Sequence, residues 1–321
     1  MTSSSFEQAN DAQSTEKPIA SVLLAAGTHG NELSGIEFVR KIQRNKAHKL
    51  HSILGDNANF SLETCLVNEL AIEKRARFVE EDLNRQFSQE KLSVLSGENL
   101  EHQLAIEFNH RYGPKHESRT DLVIDVHNTT SNMGPTLIIL ELDDFNSAMA
   151  RFVKAQMPEA VILIEDEKPF ADHAYLCTVG KRGVMIEVGP QPQGVLRPAA
   201  YLQTETMTRA ILAFCQAWNQ HLNGDEDALR LLSELTPVDA FRLTEEVSYP
   251  LDEDGHKCAM IHPMLQDKDF LALNEGEPVF LDFDHNAILW QGSSEVYPHF
   301  IGESAYYHLN VAFALADKTR I

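Results

Sequence analysis

The chain has 321 residues, 43% of them hydrophobic, enough for a sizeable core and more than one domain. Lys and Arg number 27 against 48 Asp and Glu, a formal net charge of −21 that argues against nucleic acid or an anionic membrane as partner. No apolar run approaches the roughly 18 residues that span a bilayer, and Cys65, Cys177, Cys215 and Cys258 form no C-x-x-C pair, as expected of reduced thiols without zinc-finger spacing.

Met1 to Lys17 is polar and lacks the apolar stretch of a signal peptide, so residues 1–17 read as a disordered tail and the location as cytoplasmic. Ile19–Ala26 is a short apolar run, the pattern of a strand buried on both faces. It ends at Gly27, where the chain turns into T-H-G-N-E with His29 and Glu32. Leu33–Lys46 follows as a helix with Ile36, Val39 and Ile42 on one stripe. Arg77–Phe87 (R-F-V-E-E-D-L-N-R-Q-F) places Arg77, Asn84 and Arg85 in an otherwise acidic chain. A guanidinium grips a carboxylate with two prongs; the same arginines could equally pair with Glu80, Glu81 or Asp82.

Asp121–Val126 is a second buried strand, and His127 caps it. If the two strands are adjacent and parallel, His29 and His127 reach the same sheet edge, where open α/β sheets bind ligands. Thr136–Leu140 and Ala160–Ile164 are further strands, and Glu141–Gln156 and Ala199–His221 are helices. Glu187 lies inside the apolar strand of V-M-I-E-V-G, where a charge is costly without a task or a partner. It is either a general base or half of a buried ion pair.

Asn223–Asp227, polar and containing Gly224, marks a boundary. Beyond it Pro250–His256 and Val279–Trp290 read as hairpins, giving a β-rich C-terminal unit over 223–321. Ala305–Tyr307 (A-Y-Y) either packs a core edge or serves a site.

His29, Glu32 and His127 make a three-ligand zinc set with the fourth position open to water, which implies hydrolysis rather than structural support. An isolated H-x-x-E is more often a surface pair. The other segments give this one its weight.

These segments resemble aspartoacylase and its family, zinc-carboxypeptidase-like amidohydrolases that include aminoacylase-3 and succinylglutamate desuccinylase. The resemblance runs from about Ser21 to about Ala316 and rests on A-G-T-H-G-N-E-L-S-G, D-L-N-R-Q-F, D-V-H-N-T-T-S-N-M-G, E-V-G-P-Q-P-Q-G-V-L-R and E-S-A-Y-Y. It implies an α/β fold: a carboxypeptidase-like mixed sheet with flanking helices over 18–222, its active site covered by the smaller β-rich domain of 223–321. One zinc per chain would be held by His29, Glu32 and His127. Glu187 would be general base and acid, and Arg77 would stabilise the oxyanion. Asn84 and Arg85 would bind the substrate carboxylate, Asn128 would shape the site, and Tyr306 would reach in from the second domain.

The implied reaction deacylates an N-acyl-L-amino acid, N-acetyl-L-aspartate first, to acetate and aspartate. One departure opens the alternatives. The family's further substrate-binding arginine, ten residues before the glutamate, falls on Cys177, and its tyrosine falls on His173. Lys181 or Arg182 would then have to supply the charge. Without it the substrate becomes a neutral or aromatic N-acyl-amino acid, and a non-catalytic zinc or small-acid binder is the more distant reading. Homo-oligomerisation is left open.

Overall fold

The computed structural model describes residues 17–44 and 58–321. The expected tail, apart from Lys17, and the last two residues of the first expected helix lie outside the described residues. The strands are β1 Ser21–Ala26, β2 Ser61–Leu66, β3 Leu122–Asn128, β4 Gly134–Ile139, β5 Val161–Ile164 and β6 Arg182–Gly189. Beyond them come β7 Asp239–Ser248, β8 Ala259–Ile261, β9 Pro278–Asp282, β10 Ala287–Leu289, β11 Tyr297–His299 and β12 Val311–Arg320.

Nine of these form one mixed sheet in the order β11-β12-β7-β5-β4-β6-β3-β1-β2. β1 and β3 are parallel neighbours, as expected, with Ala26 opposite Val126. β3 runs two residues further than its apolar run suggested, so His127 lies within the strand, opposite Glu187 of β6. β4 runs antiparallel to β6, which reverses the sheet direction beside the site. β7 pairs parallel with β5 through Leu163 and Phe241, so the sheet continues past residue 222 into the C-terminal region.

Alternation along each strand sends successive side chains to opposite faces. Val22, Leu24, Ile124, Val126, Val184 and Ile186 pack on one face, under the helices Leu33–Arg44, Asp144–Gln156 and Pro198–Leu222. Leu23, Ala25, Val123 and Met185 face the other side, toward the helix Leu100–Tyr112. Asp125, His127 and Glu187 share this second face by the same parity. Helix Leu33–Arg44 sits so close to the sheet that a Cβ at Gly35 would meet Val126 Cγ1 at 2.7 Å.

In the C-terminal region β8, β9 and β10 form a small antiparallel sheet around Tyr249, Val279, Phe280 and Phe313. Its hairpin turn is made by Asp282, whose Oδ1 accepts from Asp284 N at 2.9 Å and Asn286 N at 2.7 Å. Asp252 does the same for Asp254 and His256 in the D-E-D-G turn. No helix among the described residues is long and apolar enough to cross a membrane.

Candidate active site

β1 ends at Ala26, and Gly27 takes φ +71°, a left-handed turn that favours glycine. Gly30 passes so close to the chain that a Cβ there would lie 2.1 Å from the Ala71 backbone, and its N–H donates to Arg77 O at 3.1 Å. This loop delivers His29 and Glu32 to the end of β3. His29 Nδ1 lies 2.7 Å from Glu32 Oε1, His127 Nδ1 2.9 Å from Glu32 Oε2, and the two Nδ1 atoms are 3.2 Å apart. Ligand atoms of His29, Glu32 and His127 all fall within 4.8 Å of one another, and all three side chains are buried.

The outer ring nitrogens carry carboxylates: His29 Nε2 lies 2.9 Å from Asp82 Oδ1, and His127 Nε2 lies 2.8 Å from Asp125 Oδ2. Carboxylate-backed imidazoles with their other nitrogens converging are the donor set of a divalent metal site. Burial opposes the charge on Glu32, but the two imidazoles outweigh it and hold its carboxyl well below the usual range. On His127 burial is likewise outweighed, by Asp125 and Glu32, and its pKa is raised. Thr28 Oγ1 donates to Asp125 Oδ1 at 2.7 Å and fixes that acid in turn.

Arg77 is bound on two sides. Its Nε and Nη2 donate to Asp82 Oδ2 at 3.1 and 3.0 Å, and Nη1 donates to Glu32 Oε1 at 3.0 Å. The ion pair with Asp82 that the sequence allowed therefore exists, but inside the site. Three of the five guanidinium N–H groups are engaged, and two are left for a substrate oxygen.

Asn84 and Arg85 sit in a short 3-10 turn capped by Asp82, which accepts Asn84 N at 2.9 Å. Asn84 Oδ1 accepts Leu176 N at 2.7 Å, and its Nδ2 is 3.4 Å from His127 Nε2. Arg85 donates to Asn84 O at 2.9 Å and lies over the Tyr175 ring at 5.3 Å. Lys115, buried, ties the segments carrying these groups together, its Nζ donating to Phe87 O at 2.8 Å and His173 O at 2.6 Å.

Glu187 comes to the same pocket because its parity matches that of His127 across the β3–β6 ladder. Its Oε1 is buried with no hydrogen-bond partner among the described residues, and burial raises its pKa well above the carboxylate range. Tyr306 lines the pocket from the 3-10 segment Ser304–Leu309, and burial pushes its phenol up. Glu303 anchors that segment: its carboxylate accepts from Thr129 Oγ1, from Thr130 N at 2.7 Å and from Thr130 Oγ1 at 2.9 Å. Asn128 does not present its amide to the pocket. Its Oδ1 accepts Ser34 N at 3.0 Å and Gln191 Nε2 at 2.7 Å, and its Nδ2 donates to Val188 O at 3.0 Å. What it offers Glu32 is its backbone N–H, 3.1 Å from Oε2.

Residues 18–215 match the succinylglutamate desuccinylase/aspartoacylase catalytic domain, and residues 236–318 match the AstE/AspA barrel-sandwich hybrid domain. The chain belongs to the succinylglutamate desuccinylase/aspartoacylase family. It is 38% identical to aspartoacylase of Rattus norvegicus over 312 residues, 94% of each chain. It is 35% identical to the N-acyl-aromatic-L-amino acid amidohydrolase (carboxylate-forming) of Xenopus tropicalis over 308 residues, again 94% of each. The crystal structure of murine aminoacylase 3 superposes with a TM-score of 0.84 at 30% identity, covering 96% of this chain and 98% of that one. The chain is thus a hydrolase acting on amides.

Against this family the expected charge suppliers need correcting. Lys181 and Arg182 do not reach the pocket. Arg182 begins β6, five residues before Glu187, and at about 3.3 Å per residue that puts it some 17 Å away at the opposite sheet edge. There Lys181 pairs with Asp121 at 2.6 Å, while Arg182 pairs with Asp143 and lies over the Phe145 ring at 4.4 Å. Cys177 is buried against Gly183 and is not in the pocket wall. His173 is also buried outside the pocket wall, and the tyrosine of this stretch that lines the pocket is Tyr175, two residues later. Glu165, the residue after β5, and Glu303 also line the pocket, and sequence reasoning missed both.

Proposed function

We propose that this chain is a zinc-dependent amidohydrolase that deacylates an N-acyl-L-amino acid. The observation that carries the reading is the unpaired Glu187 carboxyl in one pocket with the His29–Glu32–His127 ligand set and Arg85. His29, Glu32 and His127 would hold the zinc, which when bound would supply Lewis acidity and lower the pKa of water to roughly 7. Glu187, whose burial raises its proton affinity, takes the proton from the attacking water and delivers it to the leaving nitrogen. Water adds its OH to the acyl carbon and its H to the nitrogen as the C–N bond breaks, giving a carboxylate and a free amino acid.

The two unengaged N–H groups of Arg77 stabilise the developing oxyanion, a contribution of about 3 kcal/mol for a donor of this kind. Arg85 binds the α-carboxylate common to all N-acyl-amino acids, with Asn84 fixing the turn that presents it. Tyr306 closes the pocket from the C-terminal domain, residues 223–321, which acts as a cover that restricts the cleft to small substrates. We infer a cytoplasmic location from the four free cysteines.

Among the described residues the pocket wall carries two cations, Arg77 and Arg85, and Arg77 already serves Asp82 and Glu32. That leaves Arg85, which gives one N–H to Asn84 O and forms no ion pair among the described residues, and a single guanidinium suits a substrate with a single carboxylate, so the geometry favours a neutral side chain. N-Acetyl-L-aspartate is the second reading, favoured by the identity to the aspartoacylases. Amino-acid release from N-acetyl derivatives of aspartate, asparagine, leucine and phenylalanine tests both. Release from the neutral substrates supports the first reading, release confined to acetylaspartate supports the second, and none from any of them refutes the deacylase.

A further inference from the structure

We propose that Glu165 selects the side chain of the substrate, accepting side chains that end in a hydrogen-bond donor and turning away a second carboxylate. The proposal rests on the reading of this pocket as an N-acyl-amino acid site and adds to it a rule for the amino acid.

Glu165 follows the last residue of β5, and its backbone N–H donates to Ile139 O at 2.9 Å, so its position is fixed by the sheet. The residue is 7% exposed, yet it lines the pocket. Its carboxyl receives one hydrogen bond among the described residues, a long one of 3.4 Å from the Tyr175 hydroxyl. Among the described residues no cation forms an ion pair with it. Arg85 is near enough to favour its charge, but that guanidinium is spread over the Tyr175 ring and donates to Asn84 O. Burial, which dominates, raises the Glu165 carboxyl to about 7.

A buried acid with one long hydrogen bond and no ion pair among the described residues is costly. Ile138, Met185 and Phe300 also line the pocket and offer no side-chain hydrogen-bond donor. The missing donor can come from the substrate as an amide, hydroxyl or ammonium group. A second carboxylate would instead set two acids together with no cation between them, and one of them would have to take up a proton. Glu165 could alternatively serve only to balance Arg85. In that case replacing it would change every substrate alike, because every substrate uses Arg85.

The test is the ratio of kcat/KM for N-acetyl-L-asparagine over N-acetyl-L-aspartate, a nearly isosteric pair. In assays about two units above pH 7, where Glu165 is ionised in the free enzyme, we expect a ratio of at least about tenfold in the wild type, falling about tenfold or more in Glu165→Gln, whose amide can donate to either side chain. A ratio that survives Glu165→Gln overturns the proposal. So does a wild-type preference for acetylaspartate, which needs no variant to measure. If the zinc-loaded protein hydrolyses neither these two compounds nor the N-acetyl derivatives of leucine and phenylalanine, the deacylase reading fails. Calorimetric titration of free L-asparagine and L-aspartate into wild type and Glu165→Gln then tests Glu165 alone. Tighter asparagine binding that disappears in the variant supports the proposal, and equal discrimination in both proteins overturns it.

Discussion

His127 and Glu187 are register partners on adjacent parallel strands, so an imidazole of the candidate metal set and a carboxyl whose Oε1 has no hydrogen-bond partner among the described residues project from the same face of the sheet at neighbouring positions. A rigid ladder rather than a loop sets their relation. Glu187→Gln keeps the shape and removes the proton carrier. It should leave metal content and unfolding temperature near wild type while kcat falls about 10²–10⁴-fold. Turnover close to wild type in a folded, metal-loaded variant would remove Glu187 from the mechanism.

Asp125 orients His127 through Nε2 and is itself held by Thr28. Asp125→Asn should weaken metal binding about 10–100-fold, because the imidazole loses the partner that fixes its tautomer and basicity. Competition with a chromophoric chelator measures this directly, and an unchanged affinity would mean that Asp125 serves folding alone.

Glu165 predicts a pH signature in stability. Its folded pKa of about 7 lies above the ordinary 4.5. Between these values the folded chain holds a proton that the unfolded chain has lost, so this contribution is full below about 4.5 and is lost as pH rises through about 7. Over that interval it amounts to about 3 kcal/mol at most. Asp269 is also raised to about 7, so the wild type alone is not diagnostic. The stability difference between wild type and Glu165→Gln, from urea unfolding across this range, isolates the Glu165 part. A difference that does not vary with pH would show that the carboxyl does not titrate there.

Arg85→Ala should lower kcat/KM about 10- to 150-fold for every N-acyl-amino acid tested, through the loss of one charge-assisted carboxylate contact. Arg85→Lys should recover only part of this, since an ammonium cannot reproduce the two-pronged grip. A loss restricted to one substrate would assign Arg85 to side-chain recognition instead.

The parts of the site that lie on buried parallel strands were legible in the sequence. β1 and β3 stand out as apolar runs, their adjacency follows from the α/β pattern, and His29 and His127 follow from their ends. The face of Glu187 could be read from simple alternation. What the sequence hid depends on pairings that are distant or reversed. Glu165 reaches the pocket only because β4 turns antiparallel to β6 and carries β5 with it. Glu303 meets Thr130 across 173 positions of chain. Lys181 and Arg182 looked close to Glu187 by count, but a strand separates neighbours in sequence by its full length. The union of β7 with β5 had no signature in the sequence: β5 is an ordinary apolar run, and β7 is a half-polar segment, D-A-F-R-L-T-E-E-V-S.

The central claim is that amide hydrolysis depends on a metal held by His29, Glu32 and His127. The most direct measurement follows amino-acid release from a panel of N-acetylamino acids before chelation, after chelation and after stoichiometric zinc is returned, alongside the metal content of wild type and His127→Ala. The account predicts one zinc per wild-type chain, activity lost with the metal and restored by zinc, and neither metal nor activity in His127→Ala. Full activity in chelated, metal-free protein, or an unchanged zinc content in His127→Ala, would contradict it.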